Sequence, residues 1–84
     1  MKNIHCKEIE MVYKKVTSSN IISIAYDAEH KWLGVEFSSG SIYQYFDVPK
    51  TVYDSLMYTN KMGGSVGKLF NVAVKGVYEF VKVN

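Results

Sequence analysis

From Ile21 to Phe46 the chain carries three short runs in which side chains alternate with a period of two, each bounded by polar or glycine-containing breaks. Ile21 to Tyr26 is rich in β-branched residues and sets Ile22, Ile24 and Tyr26 on one face against Ser23 and Ala25 on the other, the pattern of a strand. After the polar break Asp27-Ala28-Glu29-His30, the run Trp32 to Phe37 groups Leu33, Val35 and Phe37 opposite Trp32, Gly34 and Glu36. Ser38-Ser39-Gly40-Ser41 supplies turn chemistry, and Ile42 to Phe46 reads as a third strand dense in aromatics. Upstream, Ile9 to Val16 alternates imperfectly and is expected to be extended, ending in a turn at Thr17-Ser18-Ser19-Asn20.

The period changes at Pro49, which suits the first turn of a helix because its missing N–H costs nothing there. Val52, Tyr53, Leu56 and Met57 form the apolar stripe of that helix, and Asn60-Lys61-Met62-Gly63-Gly64 ends it in a flexible loop. Ser65 is placed to cap a second helix whose apolar positions are Val66, Leu69, Phe70, Ala73 and Val74, with Gly76 as its stop. The tail from Val77 to Asn84 alternates again and fits either a short strand or a docked end. The sum is an α+β architecture, an antiparallel β-meander of three to four strands followed by two helices packed on one sheet face. Residues 1–10 show no clear period and read as a loosely ordered lead-in to a single domain over residues 11–84.

Composition narrows the setting. At 84 residues and 9.6 kDa, with 48% hydrophobic and 21% charged residues, the chain suffices for one small core and is too apolar for intrinsic disorder. All ten basic residues are Lys, and against eight Asp and Glu they leave a net charge of +2. This permits a phosphate-bearing partner, but without the bidentate Arg fork any nucleic-acid contact is expected to be weak, salt-sensitive and shape-tolerant rather than base-specific. Cys6 is the only cysteine, so packing rather than a disulfide must hold the domain, and a reducing, cytoplasmic setting is expected. No apolar run has the character of a signal peptide or the length of a membrane span.

The residues also resemble a known family. Ser18-Ser19-Asn20-Ile21, Ile24-Ala25-Tyr26-Asp27, Leu33-x-Val35-x-Phe37, Ser39-Gly40, Tyr43-x-Tyr45, Val48-Pro49, Val52-Tyr53, Leu56, Gly67-Lys68-x-Phe70-Asn71 and Tyr78 together look like the KTSC domain, whose mark is the central Tyr-x-Tyr. The likeness spans roughly residues 12 to 80, and it is the order and spacing of many pieces that makes it specific. The sequence departs from the family pattern in a longer loop from Tyr58 to Gly64, rich in Gly and Met, and in Lys68 where the family often has Arg. The family occurs at the C-terminus of some lysyl-tRNA synthetases and in small stand-alone proteins of bacteria and phages. The resemblance therefore implies an RNA or tRNA partner and no established activity.

Three groups of residues carry candidate chemistry. Tyr43 and Tyr45 share a strand face, and the hairpin register decides which one. A two-residue turn at Ser39-Gly40 joins them to Trp32 as an exposed platform for stacking unpaired bases, worth ~1–3 kcal/mol each. An odd-length turn with Gly40 in a bulge pairs Phe37 with Tyr43 and Val35 with Tyr45, and places both tyrosines in the core; this is favoured because aromatics at strand spacing usually pack. The second group surrounds the start of the second helix. Gly63-Gly64-Ser65-Val66-Gly67-Lys68 is one residue short of a nucleotide-binding P-loop and has Leu69 where that loop needs a hydroxyl, so a nucleotide triphosphatase is excluded. Lys61, Ser65, Gly67 and Lys68 remain an anion-binding candidate, against the plainer reading of a linker and a helix cap.

The third group is a modest basic side. Lys68, Asn71 and Lys75, aided by Lys50, fall opposite the apolar stripe, and lysines so placed position a phosphate backbone rather than read bases, although a solvated face is the favoured explanation because surface Lys needs no partner. His5, Cys6 and His30 lack zinc-site spacing, Asp27, Glu29 and Asp47 border turns, and no carboxylate pair demands acid–base chemistry. No cofactor, metal or catalytic residue is expected. The functional expectation is a small non-enzymatic binding module for RNA, with a protein-interaction module anchored by Trp32 or Tyr58, or a phage or host accessory factor, as the alternative.

Overall fold

The computed structural model describes residues 11–83; the expected lead-in and the His5 and Cys6 positions lie outside them. Five antiparallel strands form one sheet in chain order: β1 (Lys14–Lys15), β2 (Ile21–Asp27), β3 (Trp32–Phe37), β4 (Ile42–Tyr45) and β5 (Phe80–Lys82). Two helices, α1 (Lys50–Lys61) and α2 (Val66–Ala73), connect β4 to β5 and cover one sheet face. The architecture is the expected α+β meander with helices on one side, and the alternating tail completes it as a fifth strand. Burial of Leu56 from α1 and of Val66, Phe70 and Val74 from α2 and its end against Ile21, Ile24, Leu33, Val35, Tyr45 and Val48 makes the core. Each large aliphatic side chain so buried contributes on the order of 1.5–3 kcal/mol relative to exposure.

Two places depart from simple alternation. β2 carries an extra residue between Ile21 and Ser23, because Ile21 pairs with Phe37 while Ser23 pairs with Glu36. The bulge turns Ile22 outward, where it is 37% exposed, and brings Ile21 onto the core face beside Ile24 and Tyr26; the expectation that Ile22 shares their face is corrected. The second helix ends at Ala73, earlier than Gly76. Val74 caps it, and the chain reverses through Gly76 at φ +80°, a conformation that favours glycine. Lys75 thus sits in the turn beyond the helix, so the expected Lys68–Asn71–Lys75 helix face is broken at its last member.

The expected caps form with one shift. Ser65 caps α2, its hydroxyl accepting from the Lys68 N–H at 3.2 Å. Pro49 stands at the N-cap of α1, one position before the first helical residue, and its carbonyl accepts the Val52 N–H at 3.0 Å. Between β4 and α1 the chain turns at Asp47, where φ is 56°, and Val48 is buried with its N–H donating to Lys31 and its carbonyl accepting the Tyr26 hydroxyl. The Tyr26 ring stacks on Tyr53 of α1 with centroids 5.3 Å apart, which locks that helix onto the sheet.

Candidate functional site

The β3–β4 hairpin decides where the family-mark tyrosines go. Ser38-Ser39-Gly40 is a three-residue connection. The Phe37 N–H donates to Ser41 and the Gly40 N–H to Phe37, both at 2.9 Å, and Gly40 adopts φ +97°. An odd-length loop sets Val35 opposite Tyr43 and Leu33 opposite Tyr45, so both tyrosines lie on the helix-facing side. The core reading of their face is the one observed, with the pairing two residues from the expected Phe37–Tyr43 and Val35–Tyr45. The two tyrosines nevertheless differ. Tyr45 is 4% exposed beneath Phe70 of α2, whereas Tyr43 is only partly buried, nearer the hairpin end.

β5 supplies the facing wall. Its register places Phe80 opposite Tyr45, and the Phe80 ring lies 5.2 Å from Tyr43 and 5.3 Å from Tyr45 between centroids. With Phe37 and Phe70, these rings surround an open cleft of about 490 Å³ whose remaining lining is Asn20, Ser38, Ser39, Ser41, Asn71, Lys75 and Gly76. Burial pushes the Tyr45 phenol above its ordinary pKa, and the neighbouring Tyr43 adds to the rise.

A second, polar groove of about 290 Å³ adjoins the cleft, lined by Thr17, Ser18, Ser19, Asn20, Ser65, Val66, Gly67, Lys68 and Asn71. It exists because the 17–20 turn is pinned against the helices. The Thr17 N–H donates to Asn60 Oδ1 at 2.7 Å, and the Asn20 carbonyl accepts from Ser38 at 3.0 Å. Gly67 allows the close approach, since a Cβ there would stand 3.1 Å from Asn20 Oδ1. Asn20 and Asn71 line both cavities, Lys68 borders one and Lys75 the other, and no carboxylate lines either. The two cavities therefore form one continuous surface, aromatic at one end, hydroxyl- and amide-rich at the other, with positive charge only.

Of the residues expected at a site, Ser65, Gly67, Lys68 and Asn71 meet in the groove, and Asn71, Lys75, Tyr43 and Tyr45 in the cleft. Lys61, exposed at the end of α1, lines neither. Sequence reasoning missed Asn20, Phe37, Phe70 and Phe80 as site residues. Asn20 stands in a turn and, like Phe37 and Phe70, among the family-like residues, which is the signal that could have found it, whereas Phe80 belongs to the cleft through a long-range pairing that no local pattern encodes. Trp32 is half-buried, stacked on His30 at 4.4 Å and edge-on to Phe46 at 6.2 Å, whereas Tyr58 is 63% exposed on α1. Among the described residues, no group of three or more His, Cys, Asp or Glu is placed to hold a metal ion, and no helix is long and apolar enough to cross a membrane.

Comparison with known proteins agrees with the fold. Residues 17–78 match the KTSC domain. The crystal structure of a KTSC domain protein from Yersinia pestis superposes with a TM-score of 0.81 at 31% identity, over 89% of this chain and all of that one. An uncharacterized protein of Stutzerimonas stutzeri is 40% identical over 53 residues, 63% of this chain and 75% of that protein. A lysine–tRNA ligase of Nostoc punctiforme is 34% identical over 70 residues, which is 83% of this chain but only 12% of the ligase.

Proposed function

This chain belongs to the KTSC domain family, and from that premise we propose that it is a small non-enzymatic module that binds single-stranded RNA along the joined cleft and groove. The observation that carries the reading is the juxtaposition itself: aromatic rings, a hydroxyl- and amide-rich groove and two lysines meet on one surface with no carboxylate. Rings offer stacking to unpaired bases, while Lys68 and Lys75 offer a phosphate backbone its positioning contacts. The family segment also occurs within a protein named for its action on tRNA, a lysine–tRNA ligase, which supports an RNA partner for this chain. The test is fluorescence anisotropy with a labelled oligouridylate at stepped salt. Affinity should fall steeply with salt, and Lys68→Glu and Lys75→Glu should each weaken it, the salt slope dropping by about one per lost contact. Salt-independent binding, or none at low salt, contradicts the reading.

One observation favours a protein partner instead. The Phe46 N–H donates to Glu79 and the Val83 N–H to Ile42, so Glu79 and Val83 bond toward β4, and alternation turns the backbone groups of Phe80 and Lys82 toward the open edge. Phe80, Val81 and Val83 are about half exposed beside it. An extended peptide adding to that edge would protect the Phe80 and Lys82 amides from exchange, which oligouridylate would leave unprotected.

A further inference from the structure

We propose that the cleft is a one-base pocket, in which an unpaired nucleobase extends the stacked ring pair of Tyr43 and Phe80 and its polar edge meets the hydroxyl of Tyr45. The inference rests on the RNA reading for its biological setting but stands on a separate observation. Tyr45 lines the cleft, is 4% exposed, and its hydroxyl makes no hydrogen bond among the described residues. A phenol of a residue that lines an open cavity and bonds no protein group is placed to pair with a ligand atom there. A planar heteroaromatic ring fits the surroundings on three counts. It is flat enough to extend the stack that Tyr43 and Phe80 already form, their planes 20° from parallel. It carries donors and acceptors at its rim for a phenol that can both donate and accept. Its attached phosphate finds Lys75 among the lining residues, with no carboxylate to oppose it. The volume of about 490 Å³ lies within the range of small-molecule sites, so a base with its sugar is accommodated. The lack of arginine argues against base readout by a charged fork; the phenol supplies a single neutral contact.

The experiment compares adenosine 5′-monophosphate with ribose 5-phosphate, which keeps the sugar and phosphate and lacks the base, by NMR titration of the full chain and of Tyr45→Phe. The intact chain should bind the nucleotide about tenfold more tightly than the sugar phosphate, a stacking-sized preference. Tyr45→Phe should narrow that ratio about fivefold, the loss of one hydrogen bond. Ring-proton signals of Tyr43 and Phe80 should shift with the nucleotide alone, a readout that needs no variant. Equal binding of the two compounds, or an unchanged ratio in Tyr45→Phe, overturns the pocket. If oligouridylate binds while the two compounds bind equally, the pocket fails and the RNA reading survives. If the nucleotide is selected but oligouridylate is not bound, the pocket stands and the RNA reading fails.

Discussion

Tyr43 and Phe80 stack across the β4–β5 pairing with ring centroids 5.2 Å apart, although both helices separate them in the chain. The wall of the cleft therefore exists only once the C-terminal strand has docked, and cleft formation is coupled to closure of the sheet. Phe80→Ala should remove that wall. Because Phe80 is about half exposed, the stability loss should be about 1–2 kcal/mol in urea unfolding, below the cost of truncating a fully buried Phe. Oligouridylate affinity should fall by more than stability alone explains, as measured on the folded variant.

Gly34 is where a second aromatic crosses the sheet. A Cβ at this position would meet the Tyr13 side chain, with Cζ at 2.9 Å and Cε2 at 3.2 Å, so Tyr13 lies over the β3 backbone on the face opposite the helices. Gly34→Ala should displace the Tyr13 ring and loosen β1, costing about 1–3 kcal/mol. In a double-mutant cycle, Tyr13→Ala should relieve most of that cost, with thermal unfolding as the measurement. Additive effects would mean that the two positions do not meet.

The β2–β3 turn should make stability depend on pH through Asp27. Burial pushes the Asp27 carboxyl up, but hydrogen bonds from the His30 side chain at 2.8 Å and from the backbone N–H groups of His30 and Glu29 outweigh it and hold the group below the ordinary carboxylate range. A depressed folded-state pKa contributes stability that is complete above the unfolded-state value and is lost as pH falls through the folded-state value. Asp27→Asn should therefore cost about 1 kcal/mol at neutral pH and flatten the acid limb of the stability profile. An acid limb unchanged in this variant would assign it to other carboxylates.

Much of this fold was readable from periodicity, because each long element buries a face with its own period. The stripe Val52, Tyr53, Leu56 and Met57 does pack on the core, and Ser65 does cap α2. What could not be read was set by single-residue offsets. One extra residue in β2 exchanged Ile21 for Ile22 in the core, and a three-residue rather than two- or five-residue connection at Ser38-Ser39-Gly40 fixed the partners of Tyr43 and Tyr45. The site was visible in part for the same reason. Ser65, Gly67, Lys68 and Asn71 lie close in sequence and line one groove, without the Lys61 expected beside them, whereas Asn20, Phe37 and Phe80 reach the cavities through turn docking and strand pairing, interactions that act over long sequence separations.

If the aromatic cleft and the polar groove form one surface for single-stranded RNA, amide and aromatic NMR signals from both should report its binding. On adding a short oligouridylate at low salt, signals of Tyr43, Tyr45, Phe80, Asn20, Lys68, Asn71 and Lys75 should shift together with one affinity, while those of Trp32, Ile22 and Tyr58, away from both cavities, stay in place. Shifts confined to the opposite sheet face, or no shifts at all, would contradict the account.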